Sequence, residues 1–209
     1  MGIITNRRRV MGGKSLPLPY DAEIEYLESS GTQYIDTNII QADDLVIKCT
    51  YLEVRGNVIF YGTIFGCAFE DNPAYNILTR HYYSSPTICN PWFANNDYLE
   101  RQITIPSETP STIELKYGSI ICNGVEYSLT SVAGRLSNYS IYLFSANLNN
   151  NPWRGQPCRI YSFSIRKNNQ KIIDLIPVRV DTTGYMYDKV SKQLFGNAGT
   201  GDFILGPDK

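Results

Sequence analysis

A two-residue alternation of apolar and polar side chains, broken repeatedly by Gly, Pro and Asn, constrains this chain more than any other feature. In Leu45-Val46-Ile47-Lys48-Cys49-Thr50-Tyr51-Leu52, and again in Arg159-Ile160-Tyr161-Ser162-Phe163-Ser164-Ile165-Arg166, one face is apolar and the other mixed. That pattern marks an antiparallel strand with one side on a core. Helical periodicity is absent apart from 131–137, which suits one short turn. Strands are expected at 23–28, 33–40, 44–54, 58–65, 75–80, 100–105, 111–117, 120–122, 125–129, 139–146, 158–166, 171–179, 184–187 and 203–205. Asn123-Gly124 is a strong hairpin signal, and Asn168-Asn169 between two strand patterns suggests another. Sixteen Tyr and eight Phe suit strands, while sixteen Gly and eleven Pro supply the turns. A dozen or so short strands in 209 residues point to an all-β, two-sheet antiparallel sandwich.

Charge removes several functional classes. The formal net charge is −1, so no strong field draws in nucleic acid or an anionic membrane. No stretch approaches the roughly 20 apolar residues of a membrane span. The basic N-terminus lacks the apolar run of a secretory signal. Met1-Gly2 hints at myristoylation, but Asn6 stands where Ser or Thr is required. Asn138-Tyr139-Ser140 fits a glycosylation acceptor, a pattern too common to carry weight. Five cysteines, Cys49, Cys67, Cys89, Cys122 and Cys158, form no zinc-like spacing. Cys49 and Cys122 sit in apolar strand patterns and read as small buried hydrophobes, reduced in a chain that matures in cytoplasm.

Residues 1–19 differ from the rest. Arg7-Arg8-Arg9, Gly12-Gly13-Lys14 and Pro17-Leu18-Pro19 form a basic, turn-rich arm with nothing to bury. Gly13-Lys14-Ser15 resembles the end of a phosphate loop, but Arg8 occupies the place of its first Gly, and no strand and helix flank it. The arm is expected either to dock on a larger assembly or to be disordered. The compact domain then spans residues 20–209.

Two motifs at opposite ends of the domain carry a family resemblance. Glu25-Tyr26-Leu27-Glu28-Ser29-Ser30-Gly31-Thr32-Gln33-Tyr34-Ile35-Asp36-Thr37 resembles the opening of concanavalin A-like, laminin-G-like jelly-roll domains of bacteriophage virion proteins and gut-bacterial surface proteins. Tyr185-Met186-Tyr187-Asp188 and Leu194-Phe195-Gly196-Asn197-Ala198-Gly199-Thr200-Gly201-Asp202-Phe203 resemble the close of the same domains. The resemblance covers about residues 20–209, with a divergent middle. It implies a concanavalin A-like jelly roll with an extended N-terminal arm. An Arg-rich arm followed by Leu-Pro, here Arg7-Arg8-Arg9 and Leu16-Pro17, often precedes the phage versions. The implied function is therefore a non-enzymatic virion component: head fibre, capsid decoration or tail-associated protein. Arg7, Arg8, Arg9 and Lys14 would anchor it to other virion proteins, after assembly in the host cytoplasm. A jelly roll also brings its terminal strands together, so the two motifs are expected to meet at one edge. The alternatives left open are a bacterial cell-surface location and a homo-oligomer.

Catalytic readings are weaker. Glu23-Ile24-Glu25-Tyr26-Leu27-Glu28 mimics a glycosidase carboxylate signature with Glu25 replacing its Asp, and strand alternation keeps Glu28 off the face of Glu23 and Glu25. His81 is the single histidine, so any Ser or Cys nucleophile would depend on it, and no nucleophile motif accompanies it. No catalytic residue, cofactor motif or metal-ligand set is assigned. A calcium site built from Asp43, Asp44, Glu70, Asp71 or Asp97 has no local motif behind it. Binding is better supplied. Aromatic rings stack on sugars while amides and charged groups bond hydroxyls. Tyr82, Tyr83, Trp92, Asn95 and Asp97 in the 71–98 segment offer that mixture, as do Asn151, Trp153 and Arg154 in the 149–154 loop. A cell-surface glycan is the expected ligand if these loops bind one. The competing expectation is a protein contact, because aromatics and Arg mark interfaces equally well.

Overall fold

In a computed structural model, residues 17–54, 61–68, 78–81, 88–91, 93, 103–106, 108–131 and 136–209 are described. In chain order the strands are β1 (Ala22–Glu23), β2 (Leu27–Ser29), β3 (Ile35–Ile40), β4 (Leu45–Glu53), β5 (Tyr61–Ala68), β6 (Leu78–His81) and β7 (Ile88–Pro91). There follow β8 (Ile103–Thr104), β9 (Ser111–Lys116), β10 (Ser119–Cys122), β11 (Val125–Ser128), β12 (Ser140–Leu143), β13 (Ala146–Leu148) and β14 (Asn151–Trp153). The chain ends with β15 (Cys158–Lys167), β16 (Gln170–Val180), β17 (Thr183–Asp188), β18 (Leu194–Phe195) and β19 (Ile204–Leu205). No helix occurs among the described residues, so none is long and apolar enough to cross a membrane.

The strands form two sheets packed face to face as a sandwich. The first runs β11-β10-β9-β4-β15-β16-β17-β18, with β1 paired to β16, β2 to β15 and β19 to β2. The second runs β14-β13-β5-β6-β7-β8, with β12 and β3 joined through β5. All strand pairs are antiparallel except β13 with β5, which run parallel at Ala146–Leu148 against Gly66–Ala68. The alternating segments behave as expected. In β4, Leu45, Ile47, Cys49 and Tyr51 are buried, and in β15 so are Ile160, Phe163 and Ile165. The slip from Ile160 to Phe163 is a bulge at Tyr161, where the register against β4 shifts. Ile35, Ile64, Phe65, Ile141 and Leu143 of the second sheet complete one continuous core. Phe65 and Phe163 meet edge to face across it, ring centroids 5.5 Å apart. All five cysteines are buried thiols, and burial raises the pKa of Cys49, Cys89, Cys122 and Cys158.

Both predicted hairpins form. Asn123 and Gly124 take φ of 48° and 86° between β10 and β11, and Asn168 and Asn169 take 50° and 62° between β15 and β16. Positive φ at both central residues matches the right-handed twist of the flanking strands. Three expectations need correction. Asn151–Trp153, predicted as loop, is the edge strand β14, where Pro152 suits an unpaired edge. The single strand expected over 139–146 is divided into β12 and β13 by Phe144, at φ 65°. That strained backbone is held by full burial of the Phe144 ring, whose centroid lies 4.9 Å from that of Phe203. The segment 23–28 is likewise broken between β1 and β2. The short helical turn expected at 131–137 falls largely outside the described residues.

Asp188 fixes the turn after β17. Its carboxylate accepts hydrogen bonds from the backbone N–H groups of Asp174 (2.7 Å), Val190 (3.1 Å) and Ser191 (2.8 Å). Burial opposes its charge, yet these donors and the Ser191 side chain together hold its pKa below the ordinary carboxylate value. A folded-state pKa below the unfolded one gives stability that is fully present above the unfolded value and is lost as pH falls through the folded value. Asp188→Asn is therefore expected to cost about 1–3 kcal/mol at pH 7. The gap to wild type should narrow below about pH 4. Urea unfolding at pH 7 and pH 3 measures it, and an equal gap at both values refutes the assignment.

Candidate functional site

The two terminal motifs meet, and their meeting builds a cleft. Residues 197–209 run antiparallel to residues 23–34. Lys209 N–H donates to Glu23 O, Glu25 N–H to Pro207 O, and Gly206 N–H to Tyr26 O. β19 pairs with β2 through Ile204–Glu28 and Leu205–Leu27. Further along, Thr200 N–H donates to Thr32 O and Ala198 N–H to Tyr34 O. Gln33 rivets the far end. Its Oε1 accepts from Ser30 N–H (2.8 Å) and the hydroxyls of Ser29 (3.0 Å) and Ser30 (3.2 Å), while its Nε2 donates to Asp202 O (3.1 Å). Asn197 Oδ1 accepts from Tyr34 N–H and Gly199 N–H. These side-chain bonds take up backbone groups that a loop would otherwise leave to water.

At this end the Gly31–Tyr34 turn, the Pro152–Gly155 segment and the Ala198–Thr200 loop enclose a cavity of about 530 Å³, with Ser145 in its lining. That volume is within the range of small-ligand sites, about 300–1,000 Å³. The walls touch backbone to backbone. A Cβ on Gly199 would overlap the Thr32 carbonyl oxygen, and one on Gly155 would overlap the Gly31 carbonyl oxygen. Gly31, at φ 108°, makes the turn that permits both approaches.

Arg154 is the charged side chain of the lining among the described residues. Its backbone is held at φ 54° by Thr63 N–H, which donates to the Arg154 carbonyl at 2.7 Å. Its guanidinium lies 3.9 Å from the centre of the Trp153 ring. Trp153 in turn packs on Ala68 and Ala146, and its N–H and C=O are clamped by the Ser145 hydroxyl at 3.0 and 3.1 Å. Tyr34 is the aromatic ring of the lining and stacks on Tyr142, centroids 4.7 Å apart. Burial, the nearby Asp36 charge and Tyr34 push the Tyr142 phenol up to about 12, so it is neutral at any physiological pH.

The residues proposed from sequence are distributed unevenly. Arg154 lines the cleft, Trp153 supports it from behind, and Asn151 lies on the exposed edge with its Nδ2 donating to Asn149 O. Tyr82, Tyr83, Trp92, Asn95 and Asp97 lie outside the described residues, as do Arg7, Arg8, Arg9 and Lys14. Thr32, Gln33, Tyr34 and Ala198–Thr200 carry turn chemistry in the sequence and serve it in the fold, but they also form cleft walls. Only the expectation that both motifs share an edge points there.

The glutamate triplet is dispersed. Glu28 is nearly buried and ion-paired with Arg159 at 2.6 Å, Glu23 accepts from the Tyr20 hydroxyl, and Glu25 is exposed beyond the break after β1. Asp44 pairs with Lys167 at 3.6 Å, and among the described residues no three His, Cys, Asp or Glu side chains converge to hold a metal. No protein-family model matches the chain, and no curated protein matches it.

Gly199→Ala is expected to prise the C-terminal loop from the Thr32 backbone, at a cost of about 1–3 kcal/mol. Amide exchange at Ala198 and Thr200 should quicken ahead of the core. Unchanged exchange at both amides would show that the walls are not in contact.

Proposed function

We propose that this protein is a non-enzymatic structural protein of a bacteriophage particle, a head fibre, capsid decoration or tail-associated protein built on a concanavalin A-like jelly roll. Its N-terminal arm, with Arg7, Arg8, Arg9 and Lys14, would fasten it to other virion proteins. The observation that carries this reading is the polarity of the terminal ladder. Tyr20 packs on Tyr187, and Asp21 N–H bonds Arg179 O beside the Lys209–Glu23 contact, so the arm joins the domain at one end of the ladder. The cleft lies at the other end, nine residues along the chain from Glu23 to Thr32, a span of at most about 30 Å. An anchor at one end and a preformed recess at the other suit a domain that projects from a surface. Reduced, buried cysteines suit assembly in the host cytoplasm.

A second reading, a carbohydrate-binding module on a virion or bacterial surface, draws on the cleft itself, with a tyrosine ring and an arginine in one lining. Deleting residues 1–19 tests the first reading. The truncated protein should keep its thermal midpoint, because Tyr20 and everything packed on it remain, while its incorporation into particles should be abolished. Normal incorporation would overturn the anchoring role.

A further inference from the structure

The lining of the edge cleft restricts what it can hold. Its polar side chains are largely committed to the protein. Thr32 Oγ1 donates to Thr200 O at 2.9 Å, the Ser145 hydroxyl is engaged with the backbone of Ala146 and Trp153, and both ends of the Gln33 amide are bonded. No carboxylate is part of the lining among the described residues. The hydroxyls of a neutral sugar both donate and accept, and their donors are usually met by carboxylate or amide acceptors, of which the described lining offers only the already bonded Gln33 amide. Arg154 offers the opposite: donors only, with a permanent positive charge. Three features place it: a positive φ, a 2.7 Å backbone bond and the Trp153 ring beneath the guanidinium. Tyr34, half-buried and braced by Tyr142, adds a flat face of the kind that packs on a pyranose ring.

We propose that the cleft between the Gly31–Tyr34 turn, Arg154 and the Ala198–Thr200 loop binds an acidic sugar unit of a surface polysaccharide, its carboxylate held by Arg154 and its ring against Tyr34. This deepens the carbohydrate-binding reading and rests on it. The ligand class is a hexuronate within an oligosaccharide. Trp153 acts as a positioning residue, since its ring holds the guanidinium and is not itself part of the lining.

Calorimetric titration of the full chain with oligomers of galacturonic and of glucuronic acid tests the proposal. The methyl esters of the same oligomers and sodium acetate are run beside them. An acid oligomer should bind, its methyl ester should bind about tenfold more weakly or worse, and acetate should not compete at equal concentration. Arg154→Gln should reduce acid-oligomer affinity to the level of the ester, and Tyr34→Ala should weaken acid and ester alike. Lys192→Gln, an exposed cation outside the cleft lining, should change nothing. Thermal midpoints of the variants establish that each is folded. If Arg154→Gln fails to fold, the wild type decides: its Gly155 and Gly199 amides should reach their full shift at about tenfold lower concentration of the acid oligomer than of the ester, and equal midpoints would overturn the acidic specificity. Equal binding of acid and ester, unaffected by Arg154→Gln, would leave a glycan site but overturn the acidic specificity. Competition by acetate would reduce the site to a simple anion pocket and overturn the sugar assignment. No binding of any oligomer would overturn this proposal; the carbohydrate reading falls with it when a neutral-glycan array run beside the titration is also blank, and the virion reading is untouched in either case.

Discussion

The pairing of the start of the domain with its end is the interaction on which the rest of this structure depends. Residues 23–34 lie against residues 197–209, and β2 then pairs with β15 as well as β19. β15 is the spine of the first sheet, flanked by β4 along its length and by β2 and β16 in turn on its other side. The two ends of the domain therefore close the sheet beside β15, which lies in its middle. Contacts so distant in sequence make this a slow-forming fold by topology, because the loop-closure entropy is met only when both ends have arrived. The buried Gln33 and Asp188 side chains hold the corners by taking up loop N–H groups that would otherwise lie unpaired.

The same closure shapes the recess. The Gly31 turn and the Gly199 loop approach until no side chain fits between them, and the β14 edge adds Arg154 from the second sheet. A cleft walled by three backbone segments in contact has its shape without a ligand, and a preformed site loses less entropy on binding. On the reading proposed above, the arrangement would separate two tasks along one edge, attachment where the arm enters and recognition where the ladder ends.

Much of the scaffold was legible because strand periodicity leaves a local trace. β4 and β15 could be read from alternation, and the hairpins at Asn123-Gly124 and Asn168-Asn169 from residues that tolerate positive φ. The break at Phe144 was not legible, since a buried phenylalanine at positive φ is held by tertiary contacts with Phe203 and Ile64. β14 escaped detection because Asn-Pro-Trp has loop composition, and only an edge position makes a strand of it. The site was half-visible. Arg154 and Trp153 stood out by chemistry, but their division of labour depends on which face of the indole the guanidinium covers. Thr32, Tyr34 and Ala198–Thr200 lie some 165 residues apart in sequence, and nothing local says that they share a wall.

The most direct measurement is native-state amide exchange on a chain lacking residues 204–209, which removes β19 and the Pro207 and Lys209 contacts. The terminal ladder predicts lost protection at Glu25, which donates to Pro207 O, loss of protection at Ala198 and Thr200 on the cleft wall, and a lowered unfolding midpoint. A truncated chain that keeps its midpoint and its protection at Ala198 and Thr200 would contradict the account, because the cleft would then stand without the closure held to build it.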